Sequence, residues 1–337
     1  MADPAFTPVN LLTGFLGAGK TTLLQRLLRD PALADAAVLI HEFGEVGLDH
    51  HLLERIDETT VLLQSGCLCC TIRGELADAM RGLHEKRERG IVAPFRRLVI
   101  ESTGLADPFP ILSTLHADPV LRHHYRPGNV VAVVDAVMGA LHLARPEAVK
   151  QVAAADRIVL AKTDIADAAG MRHVMALLRA INPAAPVSRA AEDPLDVEEL
   201  LAPDTPANFV PGQDAPEGHA HDRNRHGSIR AFALVLDQPL DWTAFGVWLS
   251  MLLHAHGDRV LRVKGILNVG GNEPPVAIHG VQYLVHPPVH MQAWPDTDRR
   301  SRLVFITDGM DREAIEASLL AFAGGQPVLT AATLASA

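Results

Sequence analysis

Gly14-Phe-Leu-Gly17-Ala-Gly19-Lys20-Thr21 is the stretch that decides the fold. It matches G-x-x-x-x-G-K-[ST], the phosphate-cradling P-loop, and it stands in the context that motif needs. A short apolar strand, Val9-Asn-Leu-Leu-Thr13, leads in, and a helix-patterned segment, Thr22-Leu-Leu-Gln-Arg-Leu-Leu28, leads out. Gly14, Gly17 and Gly19 let backbone N–H groups turn inward around phosphate oxygens, and the helix N-terminus adds the positive end of its dipole. In this pattern Lys20 reaches the β- and γ-phosphates and Thr21 holds Mg²⁺, with Thr22 beside them expected to contact the nucleotide.

Outward from this loop the chain alternates strand and helix. Apolar runs at Ala37–Ile40, Thr60–Leu63, Arg97–Glu101, Asn129–Asp135 and Arg157–Ala161 read as buried strands. Helical spacing appears at Leu76, Met80 and Leu83, then over 108–117, 146–155 and 168–181. Continuous Val/Ile/Leu runs separated by helices predict an α/β fold, a doubly wound, mostly parallel sheet covered on both faces. Ligands of such sheets bind beyond the carboxyl ends of the strands. A P-loop domain over residues 1–200 follows, with Ala191–Leu201 as a short closing helix. Pro203, Pro206, Pro211, Gly212, Pro216 and Gly218 mark residues 201–227 as a linker. Strands at 229–236, 259–269, 276–286 and 302–307, with helices over 241–254 and 311–323, predict a smaller α+β domain over 228–325.

Composition narrows the function. The chain has 337 residues, 48% of them apolar, and a formal net charge of −10. With a pI near 5.9 it lacks the basic footprint of a nucleic-acid binder. No stretch approaches the ~18 apolar residues of a membrane span. Met1-Ala-Asp-Pro has neither a basic n-region nor an apolar h-region, so a cytoplasmic location is expected.

Four further motifs surround the P-loop. Glu101-Ser-Thr-Gly104 puts an acid at a strand end, where it can act on Mg²⁺, and a glycine whose N–H can sense the γ-phosphate. Lys162-Thr-Asp164 follows a buried strand as a base-reading loop does. The Asp164 carboxylate suits the two N–H donors of guanine's Watson–Crick edge, and a site left with an unpaired buried carboxylate rejects adenine. His41-Glu42-Phe-Gly-Glu45 to Asp49 has the acids and glycines of a switch segment near a metal, or of a polar loop.

Gly66-Cys67-Leu68-Cys69-Cys70 holds every cysteine of the chain. An odd count argues against a disulfide framework, and adjacent Cys69 and Cys70 are poorly placed for a bridge. Thiolates suit Zn²⁺ and other borderline-soft ions, and three ligands leave a fourth position for water, Glu42 or an incoming ligand. An open site of this kind suits a metal that is given away. The chain also has 17 histidines. His219, His221 and His226 fall in the linker, where such a tract either collects metal ions or is simply solvated.

In order along the chain, Gly14–Thr21, Glu42-Phe-Gly-Glu45, Gly66–Cys70, Glu101–Pro108 and Lys162–Asp164 resemble the CobW-like P-loop GTPases. Two positions depart from that pattern. His41 and Ala161 stand where asparagine is usual. The resemblance implies a C-terminal domain of the CobW type and GTP hydrolysis with Mg²⁺, coupled to delivery of Zn²⁺, Co²⁺ or Fe²⁺ to a client metalloprotein. Composition and the lack of an apolar span predict no nucleic-acid or membrane partner, and a homodimer is left open. A P-loop ATPase or small-molecule kinase, and a nucleotide-binding metal buffer or sensor without turnover, are the rival classes.

Overall fold

The computed structural model describes residues 6–43, 60–65, 70–191, 193, 195–202, 229–270 and 274–323, with backbone alone at 41–43, 60–65 and 70–73. The chain divides into two compact units, residues 1–175 with 185–204 and residues 176–184 with 205–337.

The first unit opens with β1 (Thr7–Thr13), the P-loop and α1 (Lys20–Leu27), followed by β2 (Ala36–Phe43), β3 (Thr60–Ser65), α2 (Cys70–Glu88) and β4 (Arg97–Glu101). It continues through α3 (Pro108–Ala117), α4 (Leu121–His124), β5 (Tyr125–Asp135), α5 (Gly139–His142), α6 (Pro146–Ala154) and β6 (Arg157–Ala161). The chain then runs through α7 (Ala168–Ile181), β7 (Val187–Arg189) and α8 (Val197–Leu200). The strands form one seven-stranded parallel sheet in the order β3-β2-β4-β1-β5-β6-β7.

The apolar runs explain this sheet. Leu12, Val38, Val99, Val133 and Val159 form one buried layer with Leu23, Leu24 and Leu27 of α1. The alternating residues Leu11, Leu98 and Ile100 are buried too, so the sheet is covered on both faces. Leu76, Met80 and Leu83, at helical spacing on α2, are all buried.

The second unit holds β8 (Ile229–Leu236), α9 (Trp242–His256), β9 (Val260–Leu267), β10 (Val276–Val281), β11 (Leu284–Val285), β12 (Val289–His290), β13 (Ser301–Asp308) and α10 (Arg312–Ala323). Its antiparallel sheet has the order β11-β10-β9-β13-β8, with β12 also on β10. Trp248 and Phe305 anchor the core, and the Trp248 indole N–H donates to Ser318 Oγ at 3.0 Å. Asp241 caps α9 by accepting from the Ala244 amide at 2.7 Å.

The expected elements appear, with local differences. The single strand expected over 276–286 is a hairpin, because Gln282 takes the left-handed conformation at φ 51° and turns β10 back as β11. The helix expected over Ala191–Leu201 is only one turn, α8, started by Asp196 accepting from the Glu199 amide. The three-residue β7 and two-residue β12 are too short to show a period. No helix among the described residues is long and apolar enough to cross a membrane.

Candidate functional site

β1 ends at Thr13 and the chain turns sharply. Gly14, Gly17 and Gly19 have φ of 144°, 69° and 99°, a region that side chains disfavour. A Cβ at Gly14 would lie 2.3 Å from the Val133 carbonyl oxygen, so the loop starts in contact with β5. α1 then begins at Lys20, with Gly19 as its left-handed N-cap. The Lys20 ammonium donates to the carbonyls of Gly14 at 3.0 Å and Phe15 at 3.2 Å, so the cation is already folded over the loop. Thr22 is exposed on the first turn.

Glu101, at the end of the neighbouring strand β4, is only 4% exposed, and its Oε1 accepts from the Thr21 hydroxyl at 2.7 Å. A hydroxyl and a carboxylate side by side are oxygen donors of the kind a hard cation takes, so the pair fits Mg²⁺. Ser102 Oγ donates to Thr13 Oγ1 at 3.0 Å, and the Ser102 amide donates to the Leu12 carbonyl, tying the same two strand ends together. Gly104 then passes against the P-loop: a Cβ there would lie 2.6 Å from the Leu16 nitrogen and 2.7 Å from its Cα. Gln151 of α6, almost fully buried, donates to the carbonyls of Gly104 at 3.1 Å and Ala106 at 3.0 Å.

The segment expected to read the base follows β6, two strands from β1. Lys162 is a non-glycine residue at φ 58°. Its ammonium donates to the Gly17 carbonyl at 2.8 Å and to Asp135 Oδ2 at 2.7 Å. Ala161 packs its methyl 3.6 Å from where a Gly19 Cβ would stand. Asp164 is exposed, so the burial of its carboxylate on which rejection of adenine rests has to come with the bound base.

Asp135, Gln151 and His142 are site residues that the sequence reading missed. Asp135 is 1% exposed at the carboxyl end of β5, and its Oδ1 accepts from the amides of Val137 at 2.7 Å and Met138 at 2.9 Å. Burial pushes its carboxyl up, but Lys162 and these two amides outweigh burial and hold it below the ordinary carboxylate range. The signal was legible in Val133-Val-Asp135, an acid closing a buried strand, the same signal that singled out Glu101. The His142 ring lies 4.9 Å from the Phe15 ring of the P-loop. Burial lowers its pKa, Asp135 opposes that shift and Lys162 reinforces it.

Glu42 lies on described backbone near the end of β2, in register with Gln64 of β3, and Ile40 pairs with Glu101. Cys70 is the first residue of α2. Cys67, Cys69, most of the switch segment, His219, His221 and His226 lie outside the described residues. Among the described residues, no group of three or more His, Cys, Asp or Glu is gathered to hold a metal.

Fold, loop and strand-end acid together define a P-loop nucleotide hydrolase domain. The family model for the CobW/HypB/UreG nucleotide-binding domain matches residues 8–189, and the cobalamin synthesis protein CobW C-terminal domain matches 229–323. The chain belongs to the CobW/HypB/UreG family, and it is a P-loop GTPase. It is 36% identical over 324 residues to the zinc chaperone YjiA of Escherichia coli, covering 94% of this chain and 98% of that protein. It is 32% identical over 306 residues to the zinc-regulated GTPase metalloprotein activator 1 of Schizosaccharomyces pombe, covering 79% and 72%. The crystal structure of Zn(II)-bound E. coli YjiA GTPase superposes with a TM-score of 0.73 at 31% identity, over 94% of this chain and 99% of that one.

Proposed function

We propose that this protein is a GTP-hydrolysing metallochaperone that carries zinc on Cys67, Cys69 and Cys70 and passes it to a client metalloprotein. The observation that carries the reading is the common edge of the first sheet. β3, β2, β4 and β1 are adjacent and parallel, so their carboxyl ends lie side by side. The P-loop follows β1, Glu101–Gly104 closes β4, Glu42 sits near the end of β2, and the cysteine segment begins one residue after β3. A nucleotide at this edge acts on the strand ends that lead to the thiols. The names of the relatives and the zinc-bound relative structure support zinc as the cargo.

Each group in the site has work to do on a triphosphate. The P-loop amides bind phosphate oxygens, and the Lys20 ammonium exchanges its two carbonyl partners for phosphate and neutralises charge as the γ-phosphoryl leaves. Thr21 and Glu101 would hold Mg²⁺, which when bound supplies further charge neutralisation across the phosphates. Glu101, oriented by its hydrogen bond to Thr21, fixes the geometry on the β4 side. Gly104 offers its backbone N–H where the γ-phosphate ends, and Asp164 reads guanine.

The test pairs two readouts on one preparation. Reduced protein with Mg·GTP is titrated with Co²⁺, and GTP turnover is measured with and without metal. Thiolate-to-metal absorption that Zn²⁺ bleaches, that falls in Cys67→Ser, Cys69→Ser and Cys70→Ser, and that accompanies GTP rather than ATP turnover, is the expected result. An unchanged spectrum in the triple variant would mean that the cysteines do not hold the metal.

A further inference from the structure

We infer that Asp135 is the positioning residue for guanine recognition, acting through Lys162. The inference rests on the GTPase reading and adds to it the device that aligns the base-reading loop with the phosphate loop. Asp164 can read a base only if its loop is fixed relative to the loop that holds the phosphates. Ala161 brings a methyl against Gly19 and no hydrogen-bonding group. The tie is made one residue later. The Lys162 ammonium reaches the Gly17 carbonyl at 2.8 Å, bridging the base-reading segment and the P-loop directly.

A lysine cation is a point charge on a flexible stem, and left alone it would sample many rotamers and spend time in water. Lys162 is about 40% exposed, so water competes for it, whereas its partner carboxylate on Asp135 is 1% exposed. Asp135 is itself rigid. It closes β5 between β1 and β6, and its other oxygen accepts two amides of the turn into α5. The Ala136 amide also donates to the Ala161 carbonyl at 2.9 Å, so the ends of β5 and β6 are joined on the main chain as well. One carboxylate thus sets the lysine, which sets the base-reading loop against the phosphate loop. The left-handed backbone at Lys162, unusual for a side-chain-bearing residue, is the conformation that this pair of bonds stabilises.

A double-mutant cycle on the full chain tests this, with competition binding of GTP and ATP to Asp135→Asn, Lys162→Met and the double variant. Asparagine still offers an oxygen to the Val137 and Met138 amides, so it removes the ion pair and leaves the turn capped. Loss of a charge-assisted bond at this partly exposed position predicts GTP binding weakened by about 10- to 100-fold in each single variant. ATP binding falls less, so the preference for GTP shrinks. The double variant matches Lys162→Met within about threefold, because Asp135 acts only through the lysine.

Additive losses, or equal losses for GTP and ATP, would overturn the inference, since a merely structural role gives either. Should Asp135→Asn not fold, Asp135→Ser supplies another amide cap for the same cycle. If neither folds, the position is structural and the inference falls. Failure of the underlying reading is separate and visible: the unaltered protein would then bind GTP and ATP alike.

Discussion

Gly104→Ala is the smallest change that separates the turn after β4 from the phosphate loop. The added methyl would stand 2.6 Å from the Leu16 nitrogen, 2.7 Å from its Cα and 2.7 Å from its Cδ2. The Leu16 side chain is half exposed and can move, but the nitrogen and Cα belong to the P-loop backbone. The turn cannot simply withdraw, because Gln151 holds the Gly104 and Ala106 carbonyls and Asp107 caps α3 from the Phe109 amide at 3.0 Å. Overpacking of this kind costs about 1–3 kcal/mol. For a unit of roughly 200 residues, at about 2–4 °C per kcal/mol, that is a fall in Tm of about 2–12 °C. Displacement of Leu16 also disturbs the amides that wrap the phosphates, so GTP binding weakens with the melting point. Calorimetry and competition binding on the same sample check both. A variant with unaltered Tm and GTP affinity would show that Gly104 does not contact the loop.

Three further outcomes are expected. Thr21→Ala and Glu101→Gln each remove one side of the 2.7 Å pair, and both should cut GTP turnover by at least about tenfold with a raised Mg²⁺ requirement, read by phosphate release across a Mg²⁺ titration. Gln151→Leu strands two acceptors and should cost about 1–3 kcal/mol in denaturant unfolding, with no loss meaning that water replaces the amide. His84 packs its ring 4.0 Å from that of His124, and burial, then His124, then Arg87 lower its pKa below the ordinary 6.5, with Glu88 opposing. The folded state therefore takes up this proton less readily than the unfolded one. Stability is full above about pH 6.5 and is lost as the pH falls toward the folded pKa, and His84→Gln should flatten the slope of Tm between pH 8 and 5.5.

Much of the first unit was legible because its signals are local and repeated. β4 and β6 stand over the residues their apolar runs marked, and α3 and α7 over the segments their spacing marked. The glycines of the P-loop announce their conformation through the residue type alone. Asp135 and Gln151 were missed for a different reason. Gln151 has its role through Gly104, far along the chain, and no periodicity links them; Asp135 closes a buried strand as Glu101 does, but its partner Lys162 is equally remote. Gln282 illustrates a third case. Nothing in its residue type marks a left-handed turn, so a hairpin read as a single strand. Ala161 leaves out the usual asparagine, and the neighbouring Lys162, which the motif keeps, pairs with Asp135.

In the proposed metallochaperone cycle nucleotide state governs metal affinity, and zinc competition against a chromophoric chelator with Mg·GTP or Mg·GDP bound reads that coupling. Switch segments are ordered by the γ-phosphate and released on hydrolysis. The GTP form is predicted to hold zinc about 5- to 150-fold more tightly than the GDP form, with zinc tightening GTP by the same factor, and Cys67→Ser, Cys69→Ser or Cys70→Ser lowering the affinity of the GTP form. Equal zinc affinity in the two nucleotide states would mean that the metal site does not respond to the nucleotide.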